Sequence, residues 1–550
     1  MSPFLLKRFL ILSVLCITLF FFGNNFVNLT DPDEVFYSLT AKEMAAHHEW
    51  FTPYIFNQPQ FEKPILTYWF IKIAFSIFGQ TPFAARFFPA VFATLGVLAV
   101  YGLGLLGFAN ERRAFLAALV LATSAFYWAM GKTVFTDMIF TVPILYSLLS
   151  FYLAYSNPFY KRSGILAFYF FIAIAMLAKG PLGFFIPELV VLLFLLYRRE
   201  ISFLKTPWFM IGFVLCLLMV VPWYGYMLAK HGNTFIHEFF YNDHIRRFIE
   251  AEHKGNDRWF FYPITILGGL FPWTLFLGAA LLDLYKKMKF SLKPFEYFLL
   301  SWVIVVLVIF QSAHSKLASY ILPMFPALAL LTANFIDEKL EERHDGIIKK
   351  LSYILIGFLA ILGIACIVAH QAYKAYVPSL MPAYWLSAGL LSIGGIALTL
   401  LFKDKTYQAI VLLSFSLVPI FITAFMITSS LEPHISMYDA SCYVPSSAMH
   451  KTTIMVAKPY ARGIYYYTGQ NVVVMDINGQ NYFSPHPIPI LNTQESVLTF
   501  LESQPQTFAI LKKSGYEYLN KNYAQQFHIN VLKVTGRNYV LNIEPIKPAM

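Results

Sequence analysis

Three carboxylates fall within four residues in Asp31-Pro32-Asp33-Glu34, just after the first long apolar run. Like charges this close raise one another's proton affinity unless a cation or a positive ligand group relieves them. The same residues also suit a helix start, with Asp31 able to cap, Pro32 fitting the first helical position and acids favouring the dipole. Next comes Phe61-Glu62-Lys63-Pro64, ahead of the aromatic run Tyr68-Trp69-Phe70. Lys63 beside Glu62 can hold a lipid phosphate as a point charge, or snorkel from an aromatic belt. Asp137 lies just inside an apolar run, where an ionisable group is costly and normally faces a cavity or a partner. Lys179, in Ala178-Lys179-Gly180-Pro181, sits in a tight turn and is equally readable as an interfacial lysine closing a helix end.

Two later segments add to this set. His237-Glu238-Phe239-Phe240-Tyr241-Asn242-Asp243-His244-Ile245-Arg246-Arg247-Phe248 puts His244 and Arg247 on neighbouring positions of a helix. Its spacing does not match a zinc motif such as H-E-x-x-H, so phosphate binding by Arg247 is the stronger reading. If a divalent metal takes part, Glu62 and His244 are its candidate ligands. Finally, His314-Ser315-Lys316-Leu317-Ala318-Ser319-Tyr320 is a polar patch between two apolar runs. Carboxylates (Asp31, Asp33, Glu34, Asp137), cations (Lys63, Lys179, Arg247, Lys316) and polar groups (His244, Tyr320) together suit a lipid-linked phosphorylated substrate. Cations would hold a phosphate leaving group and a carboxylate would act on the acceptor.

The elements that must position these residues are membrane helices. Of 550 residues, 58% are hydrophobic and 13% charged, outside the soluble range. The net charge of +11 does not indicate nucleic acid, because Lys and Arg occur in short clusters between apolar runs. Of the four cysteines, Cys16, Cys216 and Cys366 lie in apolar runs and Cys442 has no soluble partner, so no disulfide or zinc cluster is expected. A span needs about 17 to 25 residues. About thirteen spans are expected, near 5–22, 83–108, 113–131, 134–156, 163–178, 181–197, 207–229, 262–283, 294–312, 317–335, 350–371, 382–402 and 406–428.

Basic clusters at Lys7-Arg8, Arg112-Arg113, Lys161-Arg162, Arg198-Arg199-Lys205, Lys286-Lys287-Lys289-Lys293, Lys339-Arg343-Lys349-Lys350 and Lys403-Lys405 fall in alternate loops and mark the cytoplasmic side. The long loops 23–82 and 230–261 then face outward and carry the site, within a transmembrane domain over residues 1–428. Residues 336–349 read as a charged cytoplasmic linker. An odd number of spans puts residues 429–550 outside, as a soluble domain. There Thr452 to Ala457, Val472 to Ile477, Phe508 to Lys512 and the pair flanking Thr535-Gly536-Arg537 read as strands, and Glu495 to Glu502 and Gly515 to Asn522 as helices, predicting a small α/β domain.

At Asp31-Pro32-Asp33-Glu34, Phe61-Glu62-Lys63-Pro64, Ala178-Lys179-Gly180, His244 to Phe248 and Lys316 to Pro323, the chain resembles GT-C membrane glycosyltransferases. Within that class it is similar to the bacterial lipid A 4-amino-4-deoxy-L-arabinose transferase family. The resemblance covers roughly residues 1–330. It implies a donor sugar on undecaprenyl phosphate, a periplasmic site, Asp33 as the catalytic acid with Glu34 beside it, and Asp137 as a second essential carboxylate. It further implies that Glu62, Lys63, Lys179, Arg247 and Tyr320 line the lipid-phosphate pocket. Phe36 stands where the family commonly carries an arginine, which leaves one donor or acceptor contact unassigned. The expected activity is sugar transfer from undecaprenyl phosphate to lipid A or a related envelope acceptor in the bacterial inner membrane. The alternatives are a different glycan or protein acceptor or, in another class, a lipid or solute transporter. Transporters usually show inverted repeats and charge near the bilayer midplane. No repeat is visible here.

Overall fold

The computed structural model describes residues 3–252, 254–288, 292–342, 345–445, 453–477, 479 and 488–546. Lys289, Arg343 and Thr452, named above, lie outside the described residues. Each of the thirteen expected segments coincides with a helix or a bent pair of helices. Among the described residues, nine helices are long and apolar enough to cross a membrane, and eleven spans result if each of two bent pairs counts as one. The segments at 5–22 and 181–197 correspond to the helices Pro3–Phe21 and Leu182–Arg198, of 19 and 17 residues.

The bent pairs are Glu111–Ala122 with Ala125–Gly131, at 65°, and Phe261–Gly269 with Thr274–Lys287, at 117°. A break frees backbone groups that the hydrocarbon region cannot hydrate, so protein must satisfy them. Here the two breaks satisfy each other. The Ala125 N–H donates to the Phe271 carbonyl at 3.0 Å, and the Trp273 indole donates to the Thr123 hydroxyl at 3.0 Å. Thr123 and Ser124 in turn donate to the carbonyls of Leu119 and Val120, both at 2.6 Å. Close packing elsewhere relies on small residues. A Cβ at Gly164 would come within 2.6 Å of the Ser150 carbonyl oxygen, so the helices Thr136–Ser156 and Lys161–Lys179 can meet only with glycine there.

Two segments expected as a loop and a linker extend the helices before them. The outer loop at 230–261 continues the helix Pro207–Phe235 through a kink at Gly232 into a π-helical stretch, Ile236–Arg246, and a last turn, Arg247–Ile249. The 336–349 segment is not simply a linker. The helix Phe325–Glu341 runs into it, because Asp337 is fully buried against Arg112 and Arg113.

The chain divides into two compact units. The first comprises Met1–Asn24, Phe61–Phe70 and Arg86–Phe425; the second comprises Asn25–Gln60, Ile71–Ala85 and Met426–Met550. In the second unit the helix Asp33–Ala46 precedes a hairpin of β1 (Tyr54–Ile55) and β2 (Gln58–Pro59). Phe56 and Asn57 at its turn both have positive φ, the left-handed pair that suits strand twist. The rest of the unit carries a six-stranded sheet of β3 (Ile454–Ala457), β4 (Val472–Met475), β5 (Ile490–Leu491), β6 (Thr507–Lys512), β7 (Phe527–Thr535) and β8 (Asn538–Pro545). The spatial order is β5-β4-β3-β6-β8-β7, parallel through β6 and antiparallel beyond. The expected helices appear as Gln494–Glu502 and Lys513–Tyr523, and both pack on a core that includes Met455, Leu511 and Leu541. Ala461–Thr468, a tyrosine-rich helix between β3 and β4, was not expected from its pattern.

Candidate active site

In the first unit, four segments distant in sequence meet around a cavity of about 150 Å³. Lys63, Lys179, Asp243, His244, Arg247 and Tyr320 supply its polar lining, and Leu182, Phe248, Ile309, Phe310 and Ala313 supply an apolar wall. Asp243 lies between two cations, with one oxygen 2.6 Å from Lys63 Nζ and the other 2.6 Å from Arg247 Nη1. Arg247 Nε is also 3.2 Å from Glu252. The Lys63 ammonium further donates to the Glu62 carbonyl at 3.0 Å. Lys179 forms an ion pair with Asp137, and its ammonium stands over the Tyr320 ring at 4.6 Å.

Backbone contacts position these side chains. His314 and Ser315 donate their N–H groups to the carbonyls of Phe248 and Arg247, at 3.1 and 3.0 Å, so the segment before Tyr320 is lashed to the end of the helix carrying Arg247. His244 has Nδ1 2.7 Å from the Phe239 carbonyl. Its other edge faces Gly180, where a Cβ would lie 2.7 Å from Nε2 and where φ is +99°. Only glycine combines that backbone with that approach.

Lys316, expected with the others, turns to Asp257 at 2.6 Å. His314 contacts the same carboxylate at 2.8 Å, and the two partners hold the Asp257 carboxyl below the usual carboxylate range. Glu62 reaches the site through its carbonyl, and its carboxylate acts electrostatically on Arg247. Among the described residues no group of three or more His, Cys, Asp or Glu side chains could hold a metal ion.

The acidic segment belongs to the second unit. Asp33 is the exposed first residue of the helix Asp33–Ala46, whereas Glu34 is fully buried and accepts from the Thr30 N–H and hydroxyl, both at 2.9 Å. Asp31 does not cap this helix. Its Oδ2 accepts from the Met437 N–H at 2.9 Å, and burial pushes its carboxyl up to about 8. Phe36 lies under the Arg462 guanidinium, 4.6 Å from ring centroid to Cζ.

Sequence reasoning missed Asp243, Glu252 and Asp257. Asp243 carries a signal that could have found it, its place four residues before Arg247 on one helix. Glu252 and Asp257 have none, since their partners come from the path of the chain.

Chemically, the first unit presents three buried or nearly buried cations and a phenol beside an apolar wall, with carboxylates holding the cations in place. That arrangement can take an anionic head group carrying a hydrocarbon tail.

The fold matches the crystal structure of ArnT from Cupriavidus metallidurans bound to undecaprenyl phosphate, with a TM-score of 0.78 over 98% of both chains at 18% identity. The chain shares the fold of that protein. The Dolichyl-phosphate-mannose-protein mannosyltransferase family matches residues 62–226, which include Lys63, Asp137 and Lys179. The undecaprenyl phosphate-alpha-4-amino-4-deoxy-L-arabinose arabinosyl transferase of Yersinia enterocolitica is 32% identical over 347 residues, 62% of this chain and 61% of that protein. The protein of the same name from Aeromonas hydrophila is 30% identical over 356 residues, 63% of this chain and 64% of its own length. The chain thus spans under two thirds of the length of these relatives.

Proposed function

We propose that this protein is a glycosyltransferase that moves a sugar from undecaprenyl phosphate to an envelope acceptor. The donor sugar is 4-amino-4-deoxy-L-arabinose and the acceptor is lipid A, at the periplasmic face of a bacterial inner membrane, with the C-terminal domain on that side. The observation that carries this reading is the cavity holding Lys63, Lys179, Arg247 and Tyr320 against an apolar wall. In the reaction, the bond between the anomeric carbon and a phosphate oxygen breaks, and an acceptor oxygen bonds to that carbon. The electron pair of the broken bond stays on polyprenyl phosphate, so negative charge grows where the cations stand. Fixed cations in a site screened from water stabilise such charge with little reorganisation. Lys63 and Arg247, both held by Asp243, are the grip on the leaving phosphate; Asp137 holds Lys179 over Tyr320.

Asp33 is the carboxylate assigned to the acceptor side. With a lipid A phosphate as nucleophile the attacking oxygen is already anionic, and Asp33 balances charge on the amino sugar. With a hydroxyl acceptor it takes the proton. Lys63→Ala should lower transfer in isolated membranes by about 10²–10³-fold with expression intact, the loss typical for removal of one fixed charge-stabilising group. Near-normal transfer would overturn the assignment. Mass spectrometry of lipid A with and without the protein reads donor and acceptor together. A gain of one aminopentose supports both, and no change removes lipid A as the acceptor.

A further inference from the structure

The sheet of the second unit reverses its strand order between β3 and β6. In open α/β sheets that reversal opens a crevice at the carboxyl ends of the strands, where helices begin and ligands are usually held. The helix that follows β3, Ala461–Thr468, begins there after the short turn Lys458–Tyr460. Instead of leaving this helix start to a ligand, the chain fills it with its own Asp31. Asp31 Oδ1 lies so close to Gly463 that a Cβ there would be 2.2 Å away. Oδ2 accepts from the Met437 N–H at 2.9 Å, and the Asp31 N–H donates to the Ile435 carbonyl at 2.9 Å. A carboxyl group at a helix start is favourably placed for the backbone N–H groups and the dipole.

Further contacts extend the grip along the same stretch. Asn28 donates to Glu432 Oε1 from its backbone at 2.8 Å and from its side chain at 2.7 Å. Lys42 donates to the Tyr466 carbonyl at 2.8 Å, and Asn57 donates to the Tyr465 hydroxyl at 2.9 Å. Between these fixed points, Glu34 ties the start of the helix Asp33–Ala46 back to Thr30. Asp33, exposed at the first helical position, is therefore flanked by Asp31 and Glu34, whose carboxylates accept from Met437 and Thr30.

We infer that Asp31 is a positioning residue: by occupying the crevice of the C-terminal sheet it fixes the backbone that presents Asp33, which gives the C-terminal domain a part in the transfer reaction. This rests on the proposed role of Asp33 in transfer. Misplacing a reacting group by about 1 Å costs about a hundredfold in rate, so a small slackening of residues 30–37 is enough to matter.

The test uses the full chain in lipid nanodiscs, with Asp31→Ala and Asp31→Asn beside the parent. Hydrogen exchange is followed by mass spectrometry, and transfer kinetics are measured with the undecaprenyl-phosphate-linked amino sugar. In Asp31→Ala, exchange should speed up in residues 30–37, 435–437 and 461–464 and stay unchanged in the first unit. The kcat should fall about a hundredfold with KM for the donor little altered. Asp31→Asn keeps an oxygen for the Met437 N–H, so it should recover most of the exchange protection and most of kcat. Unchanged exchange in Asp31→Ala overturns the clamp. Faster exchange with parental kcat overturns the positioning role. Absence of transfer in the parent overturns the proposed function instead, and the exchange comparison still decides the clamp.

Discussion

Asp243→Asn separates a structural carboxylate from a catalytic one. The parent side chain is 7% exposed and holds Lys63 and Arg247, themselves 12% and 14% exposed. Two unit charges about 4 Å apart attract by about 4 kcal/mol at an effective dielectric constant of 20. Removing Asp243 forfeits two such contacts and leaves two cations facing each other. Recovery of the carboxylate's own desolvation cost offsets part of this, and removing one partner of a buried ion pair typically costs about 3–5 kcal/mol. The ligand-free variant should be destabilised by that amount. A phosphate is an anion of suitable size to replace the lost carboxylate. Polyprenyl phosphate at about a hundred times its Kd stabilises its host by about 2.7 kcal/mol, enough to return much of the loss. The assay is thermal unfolding of the detergent-purified chain with and without undecaprenyl phosphate. The variant should melt well below the parent alone and show the larger upward shift with ligand. An unchanged ligand-free midpoint would refute the buried pairing, and a ligand shift in the parent but not in the variant would refute phosphate binding at these cations.

Two other outcomes follow from single residues. Gly180→Ala should cost about 1–3 kcal/mol for a backbone conformation that only glycine adopts readily, and should also displace His244, since the new Cβ would sit 2.7 Å from Nε2; weaker polyprenyl phosphate binding together with a lower thermal midpoint is the expected pair of results. Asp31 gives the second unit a pH dependence of defined sign. Its carboxyl is raised from 3.8 to about 8 by burial, with Arg462 opposing and Glu34 adding to the rise, and with Tyr460 and Tyr467 also facing it. The folded state therefore binds more protons than the unfolded state between these values. Its stability falls as pH rises from about 4 to about 8 and levels off above. Hydrogen exchange of the helix Ala461–Thr468 across that range should show the slope in the parent and lose it in Asp31→Asn.

Much of this was legible in the residues, for identifiable reasons. Apolar runs long enough to cross a bilayer have few other uses, so the thirteen segments could be placed without structure. Lys63, Lys179, Arg247 and Tyr320 were singled out because charge beside apolar helices needs a partner, and they line one cavity. What composition could not show was pairing. Nothing in the local sequence says that Lys63 meets Asp243, 180 residues away, or that Lys316 prefers Asp257. The acidic segment was ambiguous for the same reason. Its carboxylates look alike as residues, and only the chain path turns Asp31 towards Met437 and Glu34 towards Thr30. The helical spacing of His244 and Arg247 was legible in residues 236–249, but not that the stretch is π-helical and continues the preceding helix through a kink at Gly232.

The first unit also holds a second dense set of charges, and comparing the two sets shows what marks a working site. Arg113 donates from Nε to Asp337 at 3.2 Å, from Nη1 to Asn334 at 2.9 Å and from Nη2 to Glu341 at 2.9 Å. Arg112 reaches the other oxygen of Asp337 at 2.5 Å, and Asn334 donates to Glu296 at 3.0 Å. Each nitrogen of the Arg113 guanidinium thus has a protein acceptor, and two arginines face two acids. Such a network joins the helices Glu111–Ala122, Pro294–Ser312 and Phe325–Glu341. At the cavity, by contrast, Lys63, Lys179 and Arg247 all face a space with an apolar wall. Arg113→Ala should therefore cost about 3–5 kcal/mol by leaving the fully buried Asp337 short of a partner, with the affinity for undecaprenyl phosphate unchanged in the molecules that remain folded. Lys63→Ala should do the reverse, weakening binding more than it lowers the thermal midpoint, because Asp243 keeps Arg247. Measuring both quantities on both variants decides the matter. If Arg113→Ala weakens phosphate binding as strongly as Lys63→Ala does, the division between a structural and a substrate-holding charge cluster is wrong.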